Sequence, residues 1–203
     1  MGFANSTPFE VIAAPFKLYL APVGTAFPLI DAAPAVDWLL IGSSGDLNYH
    51  SDGVTVEQMQ TISKWRSLGD SGSRKVFRQE EDLMIRLTLV DITLEQYKYA
   101  INSNSVATTA AGVGTAGFKT LGLSRGLAVA TNALLLRGPS PYGDDWTLQY
   151  EVPRAAQSGN PTVVYQRQEP AGLALEWSAL VDPSQSASQY FGRIVAQHAA
   201  PLP

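Results

Sequence analysis

The sequence predicts a mainly β protein: an antiparallel β-sandwich or barrel with one flanking α-helix and a long inter-strand loop. Residues 82–90, 146–152 and 173–181 alternate apolar and polar side chains, which is the period of half-buried strands. The 203 residues include 17 glycines and 13 prolines, so turns are frequent. One stretch, 93–101, has the apolar spacing of an amphipathic helix.

A single domain is expected over residues 16–197, between an N-terminal arm (1–15) and a C-terminal tail (198–203). Pro8 and Pro15 disfavour regular structure in the arm. Apolar or alternating runs bounded by turn residues predict eight strands. These strands are 16–21, 38–42, 54–62, 82–90, 127–137, 146–152, 162–169 and 173–181.

The predicted helix begins at Thr93. Thr93 and Gln96 have the spacing of a capping box, in which each side chain bonds a backbone amide of the first turn. Leu94, Tyr97 and Ile101 fall on one face, so we expect them to pack the helix onto a sheet.

Two segments are predicted to be flexible. Residues 103–120 are rich in Ala, Ser, Thr and Gly and indicate a flexible connection. Residues 63–80 indicate a long mobile loop, and loops of that length are usually functional. The loop carries five basic residues and one tryptophan, which is either an interface anchor or a side chain folded back onto its own domain. These six residues are Lys64, Trp65, Arg66, Arg74, Lys75 and Arg78.

The composition argues against several classes of function. The net charge is −4, which disfavours a general nucleic-acid binder, since such proteins are usually basic. There is no cysteine and there are two histidines, so disulfides, thiolate chemistry and multi-histidine metal sites are excluded within one chain. No apolar run reaches 18 residues, and neither a membrane-spanning helix nor a secretory signal is expected. We expect no catalytic residues, metal or cofactor.

Three short matches to catalytic motifs have simpler explanations. Residues 112–117 spell GxGxxG, but they follow a linker and no acidic residue stands about 20 positions on. The serine-protease-like 69–72 lies in the basic loop, and the polymerase-like 142–145 lies in a proline-rich turn.

The charges are segregated along the chain. Residues 31–60 carry five acidic and no basic side chains, whereas residues 61–80 carry five basic and two acidic ones. On charge alone this pattern favours two solvated loops, and it also fits head-to-tail association of copies. Charged residues make up only 16% of the chain, against about 25% in typical domains, which favours a surface covered by other chains.

The order of segments resembles the tail tube proteins (major tail proteins) of long-tailed bacteriophages and related gene transfer agents. The resemblance covers about residues 16–197. It depends on the residue patterns of 45–56, of 80–89 followed by 93–97, and of the closing segments 175–183 and 190–195.

The resemblance implies a β-sandwich whose copies form hexameric rings that stack into a tube, with double-stranded DNA passing through the lumen without specific binding. The loop 63–80 would then contact the neighbouring ring. Tape measure, tail terminator and baseplate or distal tail proteins would be further partners, and the location would be the virion tail, after assembly in the host bacterial cytoplasm. Candidate lumen-facing residues are Glu57, Arg86, Glu151 and Glu176.

Two alternatives stay open at this point. One is another tail component on the same scaffold, such as a tail terminator or a secretion-tube-like ring protein. The other is a monomeric β-sandwich module that binds carbohydrate.

Overall fold

The computed structural model, which describes residues 10–201, is mainly β and antiparallel, as the sequence predicts. Residues 1–9 of the predicted arm and 202–203 of the predicted tail lie outside the described residues. The strands are β1 (Lys17–Pro22), β2 (Leu39–Leu40), β3 (Tyr49–Trp65), β4 (Lys75–Leu89), β5 (Val106–Thr109), β6 (Phe118–Leu121), β7 (Thr131–Pro139), β8 (Thr147–Gln157), β9 (Leu173–Ala179) and β10 (Arg193–Ala196).

The large sheet has the strand order β2-β1-β7-β8-β9-β4-β3. The same edge of β8 pairs with β10 through residues 148–151 and with β9 through residues 155–157. The β9-β4-β3 half and the β1-β7-β8 half bury side chains in one shared cluster, which is consistent with a β-sandwich.

The main core lies between these two halves. The alternating residues of β4 and β9 point into it, among them Leu87, Leu89, Leu175 and Trp177. They meet side chains of β1, β7 and β8. The period-two pattern therefore predicts the inward face of both strands correctly.

A smaller apolar cluster covers the outer face of β1 and β7. The segment 23–38 supplies Phe27 and Trp38, whose ring centroids are 5.1 Å apart. The guanidinium of Arg137 donates hydrogen bonds to backbone carbonyls of residues 29, 30 and 32. The outer face of this half is thus closed by an irregular segment.

The helix is shorter than expected and its predicted capping box is wrong. The helix α1 (Leu94–Tyr97) continues into a 3₁₀ turn (Lys98–Ala100), and Thr93 makes no side-chain cap. The buried Gln96 instead accepts a hydrogen bond from the Gly42 amide at 3.0 Å through its Oε1 atom. Gln96 therefore makes a tertiary hydrogen bond and does not cap the start of its own helix.

Three further expectations are corrected. Residues 63–65 and 75–80 are strand, so the predicted long loop is reduced to residues 66–74. The predicted flexible connection 103–120 contains the β5–β6 hairpin. Residues 162–169 form no strand, because this segment has no partner edge and leaves Val164 and Tyr165 exposed.

Candidate assembly surface

The distal half of the β3–β4 hairpin lies outside the core. We call residues 60–81 the hairpin arm. Every residue of 75–82 is exposed, and β4 pairs with β9 only through residues 84–89, so the arm is a two-stranded ribbon. Its register runs from Gln60 opposite Glu81 to Trp65 opposite Lys75, interrupted by a bulge that leaves Gln79 unpaired. An isolated two-stranded ribbon is marginally stable in water, so such an arm is suited to contact with another chain.

The arm presents two aromatic side chains on one face. Trp65 lies opposite Lys75, and Phe77 lies opposite Ser63, so these residues share a face. Trp65 is 53% and Phe77 is 48% exposed. The Lys75 Nζ atom lies 5.0 Å from the centre of the Phe77 ring. Ile62, Val76 and two basic residues occupy the opposite face.

The tip of the arm is held by its own polar contacts. The Arg74 Nε atom lies 2.8 Å from the Asp70 carboxylate, which also accepts the Gly72 amide at 3.0 Å. These two contacts, the Arg74 contact first, hold the pKa of Asp70 below its ordinary value. The Arg66 Nε atom donates to Ser73, which closes the same turn.

The remaining basic residues of the arm differ in how they are paired. Arg78 donates to Gln60 and to Glu81, each at 3.1 Å. Within residues 10–201, neither Lys64 nor Lys75 has an ion-pair partner. The arm therefore carries positive charge that the described part of its own chain does not neutralise.

Several strand edges are open. The outer edge of β3 has no strand partner in the described structure along its 17 residues. On the side that faces away from β3, residues 75–83 of β4 have no strand partner in the described structure, and neither does the outer edge of β10. Unpaired edges of this length are templates for pairing with other chains.

Three of the four candidate lumen residues form one row on the outer face of β3, β4 and β9. The Arg86 Nε atom donates to Glu176 at 2.6 Å, and its Nη1 atom donates to Glu57. These carboxylates, Glu176 foremost, raise the pKa of Arg86 above its ordinary value. The row thus carries two acidic and one basic side chain.

The fourth candidate, Glu151, lies elsewhere and does not face solvent. It is 3% exposed, and its carboxylate accepts hydrogen bonds from Arg193 and Gln149, each at 2.6 Å. Segments 23–38 and 185–193 cover this face of β8, which the alternation of β8 alone does not reveal. A solvent-facing position for Glu151 in this chain is therefore wrong.

The predicted helix residues lie at one end of the sandwich. Tyr97 and Ile101 pack against the core, and Leu94 is half-buried beside β6. The helix follows the Leu89 end of β4, whereas the arm contains the Lys75 end of the same strand, so the helix is separate from the candidate assembly surface.

Sequence reasoning missed a cleft of about 480 Å³ at the root of the arm. One wall comes from residues 78–83 of β4, and the other from β8 and residues 187–194. Gly192 allows the second wall to form: its φ is +124°, and an added Cβ would lie 2.1 Å from the Glu151 carbonyl oxygen. The residues of the second wall are about 70 to 110 residues away in sequence from those of the first, so no local motif marks the cleft.

Comparison with known proteins adds no family assignment. No protein-family model matches the chain, and no curated protein matches it. Within the described residues, no helix is long and apolar enough to cross a membrane.

Proposed function

We propose that this chain is the structural, non-catalytic subunit of a bacteriophage tail tube. Its copies would form hexameric rings that stack into a channel for DNA delivery. The observation that carries the proposal is the hairpin arm, whose exposed aromatic rings and unneutralised bases extend beyond the core. Contiguous exposed apolar surface beside charge is typical of a site for protein contact.

The open edges support the same proposal. Pairing β3 with an edge of a neighbouring copy would satisfy its backbone groups and extend the sheet around a ring. The diameter of such a barrel grows with the number of strands, so six copies would enclose a wide channel. Contacts between copies that do not close on themselves then produce a filament.

In this arrangement the row of Glu57, Arg86 and Glu176 is a candidate lining of the lumen. Its two carboxylates outnumber its one guanidinium, and their negative potential would keep DNA from adhering during passage. The proposed location is the virion tail, and the proposed partners are tape measure, terminator and distal tail proteins.

The test reverses the charge of the arm. The variant Arg74→Glu, Lys75→Glu, Arg78→Glu should keep the far-ultraviolet circular dichroism of the wild type, because these side chains are exposed. We expect it to form no tubes in negative-stain electron microscopy under conditions in which the wild type does.

A matched control changes the net charge equally at three basic residues outside the arm: Lys98→Glu, Arg125→Glu, Arg167→Glu. The control should still assemble. Normal tubes from the arm variant would remove the arm from the proposal. Wild-type rings that never elongate would favour a tail terminator, and a strictly monomeric wild type would favour a binding module.

A further inference from the structure

We propose that the cleft at the root of the arm is the acceptor for the Trp65 face of the arm of a second copy. This inference rests on the proposed function and specifies which surface receives the arm.

The chemistry of the cleft matches the chemistry of that face. Its walls include Leu83, Tyr150, Tyr190 and Phe191, which offer apolar and aromatic surface. Its volume of about 480 Å³ lies in the range of roughly 300–1,000 Å³ in which pockets hold small molecules, so it has room for an indole ring. Aromatic pairs add attraction beyond the area that they bury.

The charges of the cleft also match. Glu81 and Asp82 lie on its arm-side wall, and in the described structure Asp82 has no ion-pair partner. The two guanidinium groups of the cleft, Arg78 and Arg193, are already bonded to Glu81 and Glu151. Asp82 borders the cleft on the face of β4 that also carries Arg86, and there it can meet Lys75, which shares a face with Trp65 on the incoming arm.

A second groove in the described structure fits less well. It lies between α1 and β6, has a volume of about 440 Å³, and its charged lining residue is Lys119. Lys119 is bonded to Glu95, so no carboxylate without an ion-pair partner lines this groove to meet a cationic arm.

The occupant must come from another copy. The nearest cleft residue, Arg78, lies opposite Ile62 on the other face of the ribbon from Trp65, and Gln58 is seven residues from Trp65, about 23 Å in an extended strand. The paired ribbon cannot fold its own Trp65 back over that distance. An arm at one place and its acceptor at another make a head-to-tail contact, which propagates along an axis.

Cross-linking tests the contact directly, since the chain contains no cysteine. Trp65→Cys in one copy and Tyr190→Cys in a second are mixed and treated with a short bismaleimide, whose span replaces the two removed rings. Tyr190 is 39% exposed, so its replacement should leave the core intact. Mass spectrometry then measures the heterodimer.

The matched control pairs Trp65→Cys with Leu123→Cys, which is 73% exposed and lies in the other groove. We expect the 65–190 pair to give at least about tenfold more heterodimer than the 65–123 pair. This ratio corresponds to a tenfold difference in the equilibrium constants of the two contacts. Asp82→Lys, a change at an exposed position, and Trp65→Ala should each give shorter tubes than the wild type.

The outcomes separate the two proposals. If the wild type assembles but the 65–190 pair links no better than the control, the cleft is the wrong acceptor and the tail-tube proposal stands. If the wild type does not assemble and the 65–190 pair still links selectively, the cleft is supported and the tube is not. If there is neither assembly nor selective linking, both proposals are wrong.

Discussion

At the scale of single residues, Tyr49 joins three parts of the chain that are distant in sequence. Its buried hydroxyl donates to the Ile41 carbonyl at 2.9 Å and accepts the Leu18 amide at 3.1 Å. Burial disfavours the phenolate and raises the pKa of Tyr49 to about 12. One side chain thus ties the first residue of β3 to β1 and to the segment after β2.

Tyr49→Phe should lower the free energy of unfolding by about 1–3 kcal/mol, because it leaves a buried amide and a buried carbonyl without their partner. Urea denaturation at pH 7 measures this loss. Leu135→Ile, a volume-conserving change in the smaller apolar cluster, controls for substitution at a buried site. Equal stability of Tyr49→Phe and the wild type would show that water replaces the hydroxyl.

The same residue predicts a pH dependence. The unfolded tyrosine ionises near pH 10, whereas the native one keeps its proton up to about pH 12. The unfolded state therefore binds fewer protons in this range, and stability falls as the pH rises from 10 to 12. Tyr49→Phe should lose this part of the fall, which unfolding curves at pH 9, 10 and 11 would reveal. Parallel curves for both proteins would contradict it.

At the scale of elements, α1 depends on its tertiary contacts and not on its cap. Asp91 accepts the Thr93 amide at 3.1 Å and the Ser43 amide at 3.0 Å. Burial raises the pKa of the Asp91 carboxyl, but these hydrogen bonds outweigh that effect and its pKa lies below the ordinary value. Asp91 thus connects the start of the helix to the segment that follows β2 through hydrogen bonds.

Two substitutions in α1 should therefore differ. Thr93→Ala should be nearly neutral, although replacing a capping threonine usually costs about 1 kcal/mol. Gln96→Ala should lower the free energy of unfolding by about 1–3 kcal/mol, because it leaves the Gly42 amide without its hydrogen-bond acceptor. Thermal unfolding compares the stability of the two variants. A larger loss of stability for Thr93→Ala than for Gln96→Ala would show that Thr93 does cap the helix.

The sequence predicts those elements whose two faces have different surroundings. Residues 82–90 and 173–181 alternate because one face meets the core and the other meets solvent, and both segments lie on strands. The hairpin arm has solvent on both faces, so it has no apolar period and its basic residues suggest a loop. The β5–β6 hairpin escapes prediction for the same reason.

The candidate site divides in a similar way. The six arm residues could be chosen from local charge and the flanking tryptophan, and the structure places all six on one hairpin. Glu151 could not be placed, because a segment more than 110 residues earlier covers its face of β8. The cleft depends on contacts across the whole fold, and no window of the sequence contains it.

At the scale of the whole molecule, charge is unevenly divided. Residues 61–80 hold five basic and two acidic side chains in a chain whose net charge is −4. The surface outside this segment is therefore acidic on balance. Attraction between a basic arm and an acidic body acts between copies as well as within one copy.

Association of copies should accordingly weaken with salt. We expect the association constant to fall about tenfold between 0.05 and 0.5 M NaCl, since screening shortens the reach of exposed charges. Sedimentation velocity at several protein concentrations measures association, and circular dichroism should show an unchanged fold. Stronger association in high salt would indicate that apolar contact of Trp65 and Phe77 outweighs charge.

The open edge of β3 has a consequence for the chain before it joins any assembly. Its 17 residues present backbone donors and acceptors that accept any extended peptide, correct or not. If the chain assembles as proposed, free subunits would be consumed both by ordered growth and by irreversible precipitation. Precipitation depends on how often free subunits meet. Slow synthesis with rapid incorporation would therefore favour ordered assembly, whereas storage of the free subunit at high concentration would favour precipitation.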